Sequence, residues 1–266
     1  MRFSNLHTHT VFSDGKGTVR ENIESAIAKN MLSLGFSDHS FTACDTSYCM
    51  RLEDYGRYAE HVRALAKEYE DRLPVYLGIE KDYFSEIEEG AFDYVIASVH
   101  YIIRGGVCYP IDHSEAQQRQ CASEAFGGSL LDMAKCYYGM VAEHAAKAKP
   151  DIIGHFDVLN KFSIMPELSD EYIRITEEAL RETVRHCRRF EVNTGGIGRG
   201  WRKTPYPSLY LLRLLRELGG EVVINSDSHH PDNLDCHFTE SAALLREAGF
   251  TSFSVFDGAG FQPIAL

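Results

Sequence analysis

Seven short runs of apolar, β-branched and aromatic residues recur along this chain, most of them followed by a longer stretch of helical periodicity. The runs are Phe3 to Leu6, Leu32 to Phe36, Val75 to Ile79, Tyr94 to Val99, Ile152 to Gly154, Phe190 to Asn193 and Val222 to Asn225. Their length and composition are those of strands. Residues around 18–30, 53–71, 130–148, 171–189 and 208–218 carry apolar positions at three- and four-residue spacing. In the fourth of these, Tyr172, Ile175, Ala179 and Val184 alternate with Arg and Glu, as on a helix that covers a sheet. Such alternation predicts an α/β protein with a parallel sheet, and seven units predict closure into a barrel. The chain has 266 residues, 44% of them hydrophobic, which suits one domain over 1–266. A core of that size needs no disulfide or structural metal, so a metal cluster here would call for another reason.

Residues 100–128 interrupt the rhythm with a long excursion, HYIIRGGVCYPIDHSEAQQRQCASEAFGG. Its length predicts a functional loop or lid, with a helix near 114–126. The net charge of -12 and the lack of a Lys/Arg tract argue against a protein that lives on nucleic-acid backbones. They favour a small substrate, and an anionic one stays possible because bound divalent cations invert the local field. No apolar stretch has the length of a signal peptide or a bilayer span. Seven scattered cysteines without a C-x-x-C pair read as reduced thiols in the cytoplasm.

The chemistry follows the strands. The first run leads into His7 and His9, with Asp14 in the turn beyond; the second gives Asp38 and His39, the third Glu80, the fourth His100. The fifth gives His155 and Asp157, and the seventh Asp227 and His229. In a parallel barrel these strand ends converge on one rim, where active sites are built. Taken singly, each has an ordinary reading. His-Thr-His could be polar strand-end residues, Asp14-Gly15 a turn, Glu80 an ion-pair partner, and His100 or His155 a hydrogen-bonded core histidine. Together they predict a metal site: six of the twelve histidines fall just after strands, beside several carboxylates. His61, His144 and His186 fall in helical patterns and read as surface or packing residues; His113, His230 and His237 read as loop residues, with His230 nearest the set.

The segments HTHT-x(3)-DG, SDHS, GIE, SVH, GHFD and SDSH, in that order, resemble the motifs of the PHP (polymerase and histidinol phosphatase) superfamily. SVHYI, YPIDHS, GHFDVLNKF and EVNTGG…YPS resemble its histidinol-phosphatase branch. The resemblance implies a distorted (β/α)7 TIM-like barrel with two or three divalent metals. It implies one metal on His7, His9, Glu80 and Asp227, a second sharing Glu80 and adding His100 and His155, and a third on Asp14, His39 and His229. Imidazole and carboxylate ligands without thiolate suit zinc, iron or manganese. A bridging carboxylate would hold two cations at roughly 3.5–4 Å, the spacing used in two-metal hydrolysis.

The reaction so implied is hydrolysis of a phosphomonoester, L-histidinol phosphate, to histidinol and phosphate, a step of histidine biosynthesis. A metal-bridging hydroxide would attack phosphorus. Glu80 would act as the bridge, and Asp227 or His229 would pass a proton to the leaving alkoxide. Phosphate also calls for arginine, and the loop after the sixth strand, GGIGRGWRKTPYPS, offers Arg199 first and Arg202 second. In the excursion, Asp112 is a candidate for the cationic end of the substrate, Tyr109 for a lid contact and Arg104 for a further phosphate contact. Two other readings would share these motifs: a PHP phosphodiesterase or nucleotidase with a wider cleft, and a non-catalytic, metal-stabilised PHP module.

Overall fold

The computed structural model describes residues 1–167 and 169–266. In chain order the elements are β1 (Ser4–Asn5), α1 (Val19–Ala28), β2 (Ser33–Phe36), α2 (Tyr55–Glu68), β3 (Val75–Asp82) and β4 (Tyr94–Ser98). Then come β5 (Tyr101–Arg104), β6 (Val107–Pro110), α3 (Glu115–Phe126), α4 (Leu130–Ala148), β7 (Ile152–Ile153), α5 (Asp170–Val184) and β8 (Arg189–Asn193). The chain ends with α6 (Gly195–Gly198), α7 (Leu209–Glu217), β9 (Glu221–Asn225), α8 (Phe238–Ala248), β10 (Ser252–Phe256) and β11 (Phe261–Ala265). All seven expected strands are present, and α1, α3, α4 and α5 start at side-chain caps. Thr18 and Glu21 form a reciprocal capping box on α1, while Ser114, Ser129 and Ser169 accept from the first turns of α3, α4 and α5.

Seven strands form one parallel sheet in the order β1-β2-β3-β4-β7-β8-β9. The barrel closes between β9 and β1 only just past their ends, where Thr8 and Ser228 form a parallel bridge. There the His9 N–H donates to Ser228 O at 2.9 Å and the Ser228 N–H donates to His7 O at 3.1 Å. Below that bridge, side chains replace the ladder: Leu6 N donates to Asn225 Oδ1 at 2.8 Å, and Asn5 Nδ2 to Ser226 Oγ at 2.8 Å. This is the distortion: β1 is too short to carry a full ladder, so asparagines complete it.

The main core lies between sheet and helices, with Leu34, Phe36, Ile79 and Phe190 in one cluster with Ile23, Val62, Leu180 and Leu215. A smaller cluster fills the barrel interior: Leu6, Tyr94, Ile96, Ile152 and Val223, from two sides of the barrel, with Phe256 of β10. Tyr94 spans it, its hydroxyl donating to Leu6 O at 2.5 Å or to Phe36 O at 3.1 Å. Gly35 and Gly78 make room, since a Cβ at either position would overlap Tyr94.

Three parts differ from the sequence expectation. The excursion begins as an antiparallel β5–β6 hairpin rather than an irregular loop, and α3 follows it. Helix α5 stops at Val184, short of 189, because Arg189 already pairs with Glu221 in β8. The C-terminal α8 and the antiparallel β10–β11 pair carry no signal as clear as the barrel units; β11 is largely exposed and contains Pro263, as an edge strand can.

Candidate metal centre

Strand geometry gathers the candidate ligands. The Thr8–Ser228 bridge sets His7 and His9 on one side and Asp227 and His229 on the other, all pointing to the same face. A second isolated bridge pairs His39 with Glu80. Asp227 adopts φ 49°, a left-handed conformation that Asp tolerates better than most side chains and that concentrates at functional sites.

Glu80 lies at the middle of the set with its two oxygens turned to different imidazoles. Its Oε1 stands 3.0 Å from His155 Nε2 and 3.4 Å from His100 Nε2. Its Oε2 stands 2.7 Å from His39 Nδ1, 3.2 Å from His7 Nε2 and 3.6 Å from His9 Nε2. Asp227 Oδ1 is 3.2 Å from His9 Nε2, and toward the mouth Asp14 Oδ2 is 3.2 Å from His229 Nε2. Three overlapping groups have spacing suited to a metal ion: His9–Asp14–His39–His229, His7–His9–Glu80 and His39–Glu80–His100. His39 thus stands between the inner and outer groups, whereas the motif comparison assigned it to the outer metal alone.

The donor set fits divalent cations. Among the described residues, His7 Nε2, both ring nitrogens of His9 and Glu80 Oε2 are buried and, although close to one another, make no contact with hydrogen-bond geometry, an arrangement costly for a purely structural core. Burial by itself would raise the Glu80 carboxyl, but the imidazoles of His7, His39 and His100 hold it well below the usual range. Burial would lower His7, yet Glu191, Glu80 and Asp227 raise it well above an ordinary histidine. His9 is driven well down by burial and by the neighbouring His39 and His229.

Two carboxylates that hold these rings carry no expected role from the sequence, although Glu191 opens the EVNTGG segment. Glu191 on β8 is fully buried; its Oε1 is 2.6 Å from His7 Nδ1, and its Oε2 accepts the His155 N–H at 2.9 Å. Asp82 at the end of β3 meets both the N–H and Nδ1 of His100, at 3.2 and 3.1 Å. The available signal was a charged residue in an otherwise apolar central strand, FEVN. Asp38 and Asp157, which also follow strands, hold neighbouring loops instead. Asp38 accepts from Thr10 N and from Ser13 Oγ, and Asp157 from Ser208 N.

A cleft of about 560 Å³ opens over this cluster, lined by His39, His100, His155, Asp227 and His229. Arg199 lines it too, with Nη2 on Asp227 Oδ2 at 2.8 Å and Nη1 3.1 Å from His229 Nδ1. Arg202 does not. Its guanidinium donates to Asn160 O at 2.6 Å and faces Glu167, because the loop turns between the two arginines. Asp112 lines the cleft, but Lys161 Nζ lies 3.4 Å from its Oδ2. Tyr109 and Arg104 are turned away: the Tyr109 hydroxyl meets Glu124, and Arg104 stacks over Phe126. His230 borders the cleft without joining the cluster, and His144 is buried in α4 against Lys81 O. A second groove, between α4 and α5, contains none of the cluster residues.

All seven cysteines are free, and no helix among the described residues is long and apolar enough to cross a membrane. A parallel barrel with a histidine–carboxylate cluster at its C-terminal rim defines a metal-dependent hydrolase. The chain belongs to the PHP family, whose domain model matches residues 5–194. It is 30% identical to a protein of Deinococcus radiodurans named "Probable histidinol-phosphatase", covering 92% of this chain and 93% of that protein. It is 25% identical to the histidinol-phosphatase of Bacillus subtilis, covering 84% and 92%. Among solved structures, a histidinol phosphatase from Lactococcus lactis complexed with zinc, L-histidinol and phosphate superposes with TM-score 0.69 at 20% identity, covering 98% of this chain and 99% of that one. A Listeria monocytogenes structure superposes with TM-score 0.77 at 22% identity, covering 89% and 99%. At such identities the superpositions show a shared fold.

Proposed function

We infer that this chain is a metal-dependent phosphomonoesterase that hydrolyses L-histidinol phosphate to histidinol and inorganic phosphate. The observation that carries the chemistry is the position of Glu80, whose two oxygens face separate sets of imidazoles beneath a cleft edged by Arg199. Near-full-length similarity to histidinol-phosphatases supports the substrate. The residues to hold two or three metals are His7, His9, Glu80 and Asp227, then His100 and His155, then Asp14, His39 and His229. Zinc fits this set, as iron and manganese do. When bound, such ions supply charge neutralisation at the phosphoryl group and a water activated near neutral pH.

The protein residues do the positioning. Arg199 presents a planar donor fork to phosphoryl oxygens, held in place by Asp227. Asp227 and His229, 3.5 Å apart through Oδ1 and Nδ1, are the groups positioned to pass a proton to the leaving alkoxide. Glu191 and Asp82 fix the rings of His7 and His100.

The test is phosphate release from L-histidinol phosphate beside p-nitrophenyl phosphate and a dinucleotide, with metal analysis of the purified protein. Preference for histidinol phosphate, lost in EDTA and restored by one of the three metals, is expected. Cleavage of the dinucleotide alone would point to a phosphodiesterase, and activity indifferent to chelation would end the metal reading. Glu80→Gln should lower turnover on the order of 10³-fold.

A further inference from the structure

The substrate named above carries cations as well as a phosphate, and a positively charged site for the phosphate alone would not select it. We propose that Asp45, together with the paired rings of Tyr48 and Tyr101, forms the subsite that recognises the cationic end of the substrate. This rests on the phosphomonoesterase reading and adds to it the residues that choose among phosphomonoesters.

The three residues form a path out of the metal cluster along the cleft wall. The Tyr48 ring packs edge-on against His39, centroids 4.8 Å apart, and lies 6.3 Å from His100. Tyr101 stacks on Tyr48 at 6.1 Å with an interplanar angle of 27°. The Tyr101 hydroxyl then reaches Asp45 Oδ2 at 3.4 Å. All three line the cleft. A molecule whose phosphoryl group sits on the cluster would extend its other end along two aromatic faces toward a carboxylate. Aromatic faces attract cations, and a carboxylate pairs with ammonium or imidazolium.

Asp45 suits this role better than Asp112. Asp112 already has Lys161 within 3.4 Å, while among the described residues no Lys or Arg lies within ion-pair distance of Asp45. Its Oδ1 accepts the Ser47 N–H at 2.8 Å and so closes a local turn; its Oδ2 receives the Tyr101 hydroxyl at a long 3.4 Å. The Ser47 hydrogen bond first, and then Tyr101 and His113, hold the Asp45 carboxyl below its ordinary value, so it is anionic at neutral pH.

The double duty of Asp45 yields a clean variant. Asp45→Asn keeps an oxygen to accept from Ser47, and with it the turn, and removes only the charge. Wild type, Asp45→Asn and Asp112→Asn are compared on L-histidinol phosphate and on p-nitrophenyl phosphate, which has no cation. Asp45→Asn should lower kcat/KM on histidinol phosphate by about 10-fold or more, chiefly through KM, with p-nitrophenyl phosphate changed less than about two-fold. Equal loss on both substrates, or no loss on either, would overturn the subsite. So would a selectivity loss in Asp112→Asn that Asp45→Asn lacks. Failure of the wild type to hydrolyse histidinol phosphate would instead defeat the substrate assignment. In that case inhibition of p-nitrophenyl phosphate hydrolysis by L-histidinol still reads the subsite: equal inhibition of wild type and Asp45→Asn would overturn it.

Discussion

Glu191 Oε1 stands 2.6 Å from His7 Nδ1, with both side chains wholly buried and 184 residues apart in sequence. The carboxylate places the proton of the neutral ring on Nδ1 and leaves the Nε2 lone pair facing Glu80 and Asp227. The same carboxylate takes the backbone N–H of His155 through its other oxygen, so one residue of β8 holds the ring of His7 and the main chain at His155.

Removing the charge while keeping the shape tests that role. Glu191→Gln should lower metal affinity or turnover by about 10- to 100-fold with a folded barrel. Competition with a chelator and metal analysis measure it. Unchanged affinity and turnover would show that His7 needs no anionic partner.

Arg199 and Arg202 should separate cleanly. Arg199→Ala is expected to lower kcat/KM by about 10²-fold, since it removes the fork beside the cluster. Arg202→Ala should instead reduce stability by about 1–3 kcal/mol, because its mostly buried guanidinium ties Asn160 O near Glu167. Steady-state kinetics and chemical denaturation read the two effects. A larger kinetic loss from Arg202→Ala would reverse the assignment.

Metal binding should release protons. In the metal-free protein, burial opposes protonation of His7, His39 and His100, but the adjoining carboxylates raise all three above an ordinary histidine. A raised value means a ring still protonated at a pH where a free one is neutral, and a metal requires the neutral ring. Affinity should therefore fall as pH is lowered from about 8 to about 6, with more than one proton released on binding. Calorimetric titration in two buffers of different ionisation enthalpy counts the protons; identical heats in both would contradict the prediction.

Gly78→Ala should destabilise the barrel by about 1–3 kcal/mol, since the added methyl meets the Tyr94 ring in the filled interior. Urea unfolding measures it. A neutral result would mean that Tyr94 has room to shift.

The strand periods and the ligand types at their ends were legible because both are local. A short apolar run marks each strand, and the residue just past it faces the rim whatever surrounds it. His7, His9, His39, Glu80, His100, His155, Asp227 and His229 could all be named on that basis, and so could the α3 region. The β5–β6 hairpin leaves no such local mark, because its strands are short and its tip polar.

The sequence by itself thus determined a barrel whose rim is crowded with imidazoles and carboxylates. Tertiary structure decided which carboxylate does what. Glu80 and Glu191 are both acids on barrel strands, yet one lies among the imidazole faces and the other behind a ring. Arg199 and Arg202 are three residues apart, and only the turn between them sends one to the cleft and the other to Asn160. These roles depend on distances between segments far apart in the chain, and local periodicity carries no information about them.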